Sequence, residues 1–507
     1  MTASPPSALP SDDPGGRGRR RARVRLVVAL AAALAVLLPL VWLWAASLVP
    51  SSYSVMTMGP ADTGGVALSH SHRPGAAGGR DVTTLVEPDR GPPDVDVTLT
   101  ARRQQVTVPG GPTLTAYTLN GTTPGPTIRA REGDLVQVTL VNESVPDGTT
   151  LHWHGIDVPN AEDGVAGVTQ DAVPVGGRHV YRFRAAQVGT YWYHSHQVSH
   201  EQVIKGLLGA VVVTPRAGLG GDVDVLGLAH LYAGRRAVQG RAGDVPVEVP
   251  AGARARVRII NTDNGIMPVW VSGAAFEVVA VDGTDVNEPT PVEGKKVALA
   301  AGGRVDLRVH VPASGAAVRV EMGGAALVLG PAGSSTPATR APSGVVDLLS
   351  YGSPAPLGLD VAHPDRRFTY SIGRRPGFMN GRPGVHWTVN GRMFPTAPMF
   401  MVAEGDVAVV HIDNHSGETH PMHLHGHHVV VLARDGVKAT GSPWWTDSLE
   451  VLNGQEFDVA FVADNPGVWL DHCHNLPHAR DGLTAHLMYE GVTTHFRLGR
   501  GTPNTPE

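Results

Sequence analysis

Cysteine is all but missing. Cys473 is the one copy in 507 residues, which excludes an intramolecular disulfide framework and leaves the compartment to be read from other features. Charge is also in short supply: charged residues make up 17% of the chain and the formal net charge is −5, which argues against a nucleic-acid binder. With 62 glycines, 41 prolines and 42% apolar residues, the composition suits compact β-rich domains with many turns better than helical bundles. One core does not grow to this length, so three or four domains are expected. What the chain holds in plenty is histidine, with 24 copies, a first hint of metal.

The compartment is legible at the N-terminus. Arg17, Arg19, Arg20, Arg21, Arg23 and Arg25 precede an uncharged run from Leu26 to Val49. As a helix that run is about 36 Å long, enough to cross a hydrocarbon core of about 30 Å. The positive flank sets residues 1–25 in the cytoplasm and everything after Pro50 outside. A cleaved signal peptide is the competing reading, but its apolar region is usually about 7–15 residues, so an uncleaved single-pass anchor over 26–49 is expected. Arg20-Arg21 could be the pair of a twin-arginine signal, although Ala22, Arg23 and Val24 fit that signal poorly. Residues 50–93, rich in Gly, Pro, Ser and His, read as a flexible linker in which His70 and His72 are solvated.

From Val95 onward, short alternating segments are separated by turn residues, the pattern of a β-sandwich. A repeat then appears. Gly133 to Asn142, Gly252 to Asn261 and Gly405 to Asn414 each place Gly and Asn at the two ends of a strand-like run of equal length. Three copies at domain-sized intervals imply three related sandwiches, over 94–216, 217–345 and 346–507, with segment 331–360 joining the second to the third. A second repeat links only the first and third. Gly189-Thr190-Tyr191-Trp192-Tyr193-His194-Ser195-His196 lines up with Gly467-Val468-Trp469-Leu470-Asp471-His472-Cys473-His474, so Ser195 stands where Cys473 stands. The middle sandwich has no histidine pair and reads as a spacer and a wall.

Four clusters hold the chemistry: His152-Trp153-His154, His194-Ser195-His196, His420-Pro421-Met422-His423-Leu424-His425, and His472-Cys473-His474-Asn475-Leu476-Pro477-His478. On a strand, both imidazoles of an H-x-H face one side, so a pair can bracket one metal or divide between two. Cys473 then faces away from its flanking histidines and serves a separate site joined to theirs by a few covalent bonds. A cysteine with two histidines and a weak axial group is the ligand set of an electron-transfer copper. Ten histidines and one thiolate are too many for one ion but suffice for four at two or three ligands each. Pairs from the first and third sandwiches would have to face each other across an interface.

These motifs (HWHG, HSHQ, HPMHLHG and HCHNLPH) resemble the four signatures of the multicopper oxidases. Their order and separation are similar to the three-domain, laccase-like branch over roughly residues 95–497. The resemblance implies an all-β fold of three cupredoxin-like Greek-key sandwiches after the transmembrane helix. It implies four copper ions: a type 1 ion on His420, Cys473 and His478, and a type 2 ion on His152 and His423. The type 3 pair would take His154, His194 and His474 on one ion and His196, His425 and His472 on the other. Cys473 would be the point of electron entry, wired to the cluster through His472 and His474. His200, His427 and His428 match no ligand position and are expected behind the ligands or at the surface.

The chain departs from the family pattern in two places. The type 1 axial position falls on Leu483, which cannot coordinate, so a medium-to-high reduction potential is expected. Asp163 matches an acid that donates protons near the type 2 copper, although an Asp before Gly is also an ordinary turn residue. A second acid found in bacterial relatives is replaced by Ala479, for which Asp481 is a weak substitute. Eleven methionines without a Met-rich insert, and no obvious acidic cluster, weigh against a dedicated Cu(I) or Fe(II) oxidase. The expected activity is oxidation of phenols or aromatic amines coupled to reduction of O2 to water, by a monomeric catalytic unit at the cell membrane or, after cleavage, secreted. A metallo-oxidase of Cu(I), Fe(II) or Mn(II) is the alternative. A non-enzymatic envelope scaffold should have lost ligands, and a two-domain nitrite reductase should lack the third repeat; neither fits.

Overall fold

The structure, a computed structural model, describes residues 3–4, 14–66 and 79–507; His70 and His72 lie outside the described residues. Its contacts define two compact units, Met1–Leu48 with Pro376–Val385, and Val49–Arg375 with His386–Glu507. The first holds the helix Pro14–Ala46, whose Val, Leu and Ala side chains are exposed on every side. An all-round apolar helix has no face to turn toward water, and its segment Arg19–Ala46 is long and apolar enough to cross a membrane. The basic residues Arg19 to Arg25 continue the same helix rather than preceding it. Within this unit the Asn380 N–H donates to the Ser47 carbonyl at 3.0 Å.

The second unit is built on three pairs of larger β-sheets around the three largest cores. In the first, Thr113–Leu119, Val95–Thr107, Leu135–Asn142 and Arg178–Arg184 form one sheet, and Ile128–Arg131, Leu208–Thr214, Gly189–His194 and His152–His154 form the other. Val136, Val138 and Leu140 alternate inward along one strand and are fully buried, as the period of two requires. Each such side chain contributes roughly 1.5–3 kcal/mol by leaving water.

The three repeats occupy one topological place. Leu135–Asn142, Arg254–Asn261 and Val407–Asn414 each lie between a parallel neighbour and an antiparallel one. The reason for the terminal asparagine is now visible. Asn142, Asn261 and Asn414 are fully buried, and each amide nitrogen donates at 2.8–3.1 Å both to a carbonyl of the loop beyond its strand and to a carbonyl more than 30 residues further along the chain. Each amide oxygen accepts a backbone N–H two or three residues on. The leading glycines have φ of 78°, 76° and 94°, a left-handed conformation that side chains disfavour.

The linker expected over 50–93 is corrected in its described part. Ala61–Asp62 pairs parallel with the Met399–Val402 strand, and Arg80–Asp81 pairs with Val492–Thr493. Val55, Met56, Met58 and Val82 enter the core of the third sandwich. Composition hid this, because a few apolar anchors among Gly, Pro and Ser have no periodicity to detect.

Candidate metal centre

Cys473 ends the strand Val468–Cys473 and is fully buried. Its Sγ lies 3.5 Å from His420 Nδ1 and 3.8 Å from His478 Nδ1, and those two nitrogens are 3.1 Å apart. The outer nitrogens are held elsewhere: His420 Nε2 by Ser416 Oγ at 2.8 Å, and His478 Nε2 by the Glu418 carboxylate at 3.3 Å. Both Nδ1 lone pairs are therefore directed at the sulfur. Trp387 covers both rings, 4.8 Å and 4.7 Å from their centroids. Leu483 is fully buried in the same core. Burial pushes the Cys473 thiol well above its ordinary pKa, whereas burial and then His478 hold His420 down to about 3. A thiolate is costly here without a cation beside it, and two neutral imidazoles stand ready to bind one.

The other eight histidines form a cage between the first and third sandwiches. Register sets each half: His152 lies opposite His194 in one sheet, and His423 opposite His472 in the other. Across the interface His423 Nε2 is 3.4 Å from His152 Nε2, and His196 Nε2 is 3.5 Å from His472 Nε2. Within the third sandwich His425 Nε2 is 3.3 Å from His472 Nε2. Every cage histidine is at most 1% exposed. Donor atoms of His196, His425 and His472 lie within 4.8 Å of one another, as do those of His152, His423 and His425, and of His152, His154 and His194. His154, His194 and His474 do not form one such trio; their ring centroids lie 4.9–5.7 Å apart.

Hydrogen bonds decide which nitrogen of each ring is free. The Asp163 carboxylate sits 3.1 Å from Nδ1 of both His152 and His425, so this one acid orients rings from two domains. Carbonyls of Ser195 and Asp447 take Nδ1 of His194 and His423 at 3.0 and 2.8 Å. Four Nε2 lone pairs are thereby directed into the cage. His154 is the exception: its Nε2 meets Ser448 Oγ at 3.0 Å, and its Nδ1 is unpartnered. Nε2 of His194 and both nitrogens of His474 are unpartnered as well. Burial, then the neighbouring imidazoles, hold His154, His194, His425 and His472 well below the ordinary histidine pKa. Lone pairs crowded this closely and kept unprotonated fit bound cations.

Motif reading missed the groups behind the cage. Asp447, fully buried, has Oδ1 3.2 Å from His154 Nε2 and pairs through both oxygens with Arg304 at 2.6 Å. Arg304 comes from the middle sandwich, as does Gly302, where an added Cβ would stand 2.8 Å from His154 Cε1. The middle sandwich is therefore more than a spacer and a wall. Glu507 Oε1 lies 3.3 Å from His472 Nδ1, and burial raises its carboxyl to about 8. His427 is buried against the Tyr489 hydroxyl at 2.7 Å, and His428 meets Asp447 Oδ2 at 3.2 Å. A lone Asp, Glu or Arg carries no spacing signal, so Asp447, Arg304 and Glu507 are not legible in the sequence, whereas His427 and His428 are expected from it behind the ligands or at the surface.

Fold and site together define a class: a β-sandwich metalloprotein in which a sulfur–imidazole site is joined by two peptide bonds to an imidazole cage. Comparison with known proteins agrees. Family models described as multicopper oxidase match residues 100–218 and 365–491, the two histidine-bearing sandwiches. The multicopper oxidase MmcO of Mycobacterium tuberculosis is 30% identical over 78% of this chain and 87% of its own length. Laccase-1 of Botryotinia fuckeliana is 29% identical over 72% of this chain and 76% of its own. The crystal structure of a multi-copper oxidase from Pseudomonas thermotolerans superposes with a TM-score of 0.64 at 29% identity, covering 78% of this chain and 98% of that one. The chain belongs to the multicopper oxidase family, copper-dependent oxidoreductases with oxygen as acceptor.

Proposed function

We propose that this protein couples one-electron oxidation of phenols or aromatic amines to four-electron reduction of O2 to water, using four copper ions. His420, Cys473 and His478 would hold the type 1 ion, and His152 and His423 the type 2 ion. His154, His194 and His474, with His196, His425 and His472, would hold the type 3 pair. Copper, when bound, supplies single-electron acceptance at the sulfur and multi-electron storage in the cage. The observation that carries the reading is that His472 and His474 line the cage while Cys473 between them turns to the outer site.

The residues have separable tasks. His478 is the most exposed group of the sulfur site, its side chain 14% accessible, so a donor meets it first. Asp163 fixes two cage rings and is proposed as a proton donor there. At the doorway Glu418 Oε2 lies 3.3 Å from His478 Nε2, which would also attract a cationic donor and favours the metallo-oxidase reading. Arg374 pairs with that carboxylate at 2.9 Å and offsets its charge, which supports a neutral aromatic donor instead. The helix Pro14–Ala46 is proposed as a single-pass anchor with the catalytic region, a monomeric unit, outside the cytoplasm.

The test is oxygen uptake by copper-loaded protein with a phenol, an aromatic amine, Cu(I), Fe(II) and Mn(II) side by side. Faster turnover of the organic donors is expected. Turnover of a metal ion alone would replace the substrate assignment, and absence of an intense visible thiolate-to-copper band would overturn the sulfur site.

A further inference from the structure

The strand Arg366–Met379 pairs with Val407–Asn414 only as far as Ile372. Beyond that residue its sheet neighbour is the return strand Arg382–Val389. Asn380 and Gly381 turn the chain between them with φ of 47° and 76°, the two-residue turn that suits strand twist. A ribbon of two strands is marginal in water by itself. Among the described residues, no side chain of its tip, Pro376–Val385, enters a buried core. Pro376, Pro383 and Val385 are exposed, and Phe378 and Met379 are half-buried. Residues 374–386 hold Arg374, Arg375 and Arg382 and no acid.

The two faces of the ribbon differ. A two-residue turn sets Met379 opposite Arg382, so Phe378 falls opposite Pro383 and Pro376 opposite Val385. The same count sets Arg374 opposite Trp387, and that guanidinium does lie 5.2 Å over the ring. Side chains alternate along each strand, so Pro376, Phe378, Pro383 and Val385 share one face and Arg382 takes the other.

The turn is fastened to the end of the apolar helix, which belongs to the same compact unit. The Asn380 N–H donates to the Ser47 carbonyl at 3.0 Å, and the Gly381 N–H to Ser47 Oγ at 3.1 Å. A Cβ added to Gly381 would stand 3.1 Å from both Trp44 Nε1 and Leu48 Cδ2. From Arg25, the last charge of the helix, to Ser47 is about 33 Å at the helical rise, against about 30 Å of hydrocarbon. Trp42 and Trp44 are exposed just before Ser47, and tryptophan gathers where hydrocarbon meets headgroups. With Arg25 at the inner boundary, Ser47 emerges at headgroup depth and brings the turn to that depth.

We propose that the hairpin tip Pro376–Val385 docks into the headgroup layer of the phospholipid bilayer beside the emerging helix. This rests on the reading of Pro14–Ala46 as an uncleaved anchor. The face of Pro376, Phe378, Pro383 and Val385 enters the apolar edge of that layer, and Arg382 on the opposite face reaches lipid phosphates. The bilayer then covers apolar side chains that water would otherwise meet, and the protein gains a second point of attachment.

The test uses the full chain in nanodiscs of phosphatidylcholine with phosphatidylglycerol. With Phe378→benzoylphenylalanine, irradiation should give lipid adducts at that position by mass spectrometry. Adding Arg382→Glu and Val385→Asp should cut the yield about fivefold, while circular dichroism and oxygen uptake with a soluble phenol match wild type. No lipid adduct in a chain that resists alkaline extraction would overturn this inference alone, as would a yield unmoved by the two added changes. Adducts to another polypeptide in membranes of the expressing cells, in place of lipid, would overturn it too and mark a protein-docking surface. An intact mass lacking the helix would instead remove the anchor reading on which it rests.

Discussion

At the scale of single residues, the buried ion pair between Arg304 and Asp447 is the feature whose loss is felt most. Both side chains are fully buried, and removing one partner leaves the other charged in a low dielectric. Arg304→Met is expected to destabilise the protein by about 3–5 kcal/mol, read as a lower denaturation midpoint. It should also disturb the cage, because Asp447 reaches both His154 and His423. Leu483 poses a subtler question. An axial thioether stabilises Cu(II) where a leucine does not, so Leu483→Met should lower the type 1 potential in a redox titration; an unchanged or higher value would remove leucine as the cause. Asp163→Asn should slow oxygen reduction and shift its pH profile while leaving the sulfur site alone.

At the scale of elements, the three Gly-to-Asn strands carry the fold, and other strands of the first and third sandwiches carry the site. The asparagine that closes each strand satisfies loop carbonyls that would otherwise be buried bare. Asn261 is the cleanest case, since its sandwich supplies no proposed ligand. Asn261→Ala should cost about 1–3 kcal/mol for each carbonyl left unpaired, measured by chemical denaturation, with copper content unchanged. The strands His420–Leu424 and Val468–Cys473 show how pairing makes a site. Their register sets His423 opposite His472 and Met422 opposite Cys473, so two adjacent positions of one strand feed two different centres.

At the scale of the molecule, the buried titratable groups oppose one another and set an optimum. Nine site histidines have depressed pKa values, with His420 and His474 at about 3. As pH falls below about 6.5 the unfolded chain takes up protons on them that the copper-free fold refuses, so stability drops toward acid. Glu162 and Glu450 are raised to about 7, and Asp471 and Glu507 to about 8. These four keep protons the unfolded chain has lost, so stability also drops as pH rises through 7 to 8. Copper-free protein should be most resistant to urea near pH 6.5, and a monotonic rise from pH 4 to 9 would contradict the balance.

The amino-acid order alone determined the three sandwiches, the four histidine clusters and the lone thiol, because each writes a short-range period or spacing. Cys473 between two histidines and Ser195 in the matching place needed no coordinates to be noticed. Only the tertiary structure decided that Asp163 serves two imidazoles, that Arg304 reaches from the middle sandwich to Asp447, and that Val55, Met56, Met58 and Val82 pack into the third core. Those contacts join positions far apart in the chain through single side chains. An isolated acid, base or apolar anchor leaves no pattern until folding brings its partner within a few ångströms.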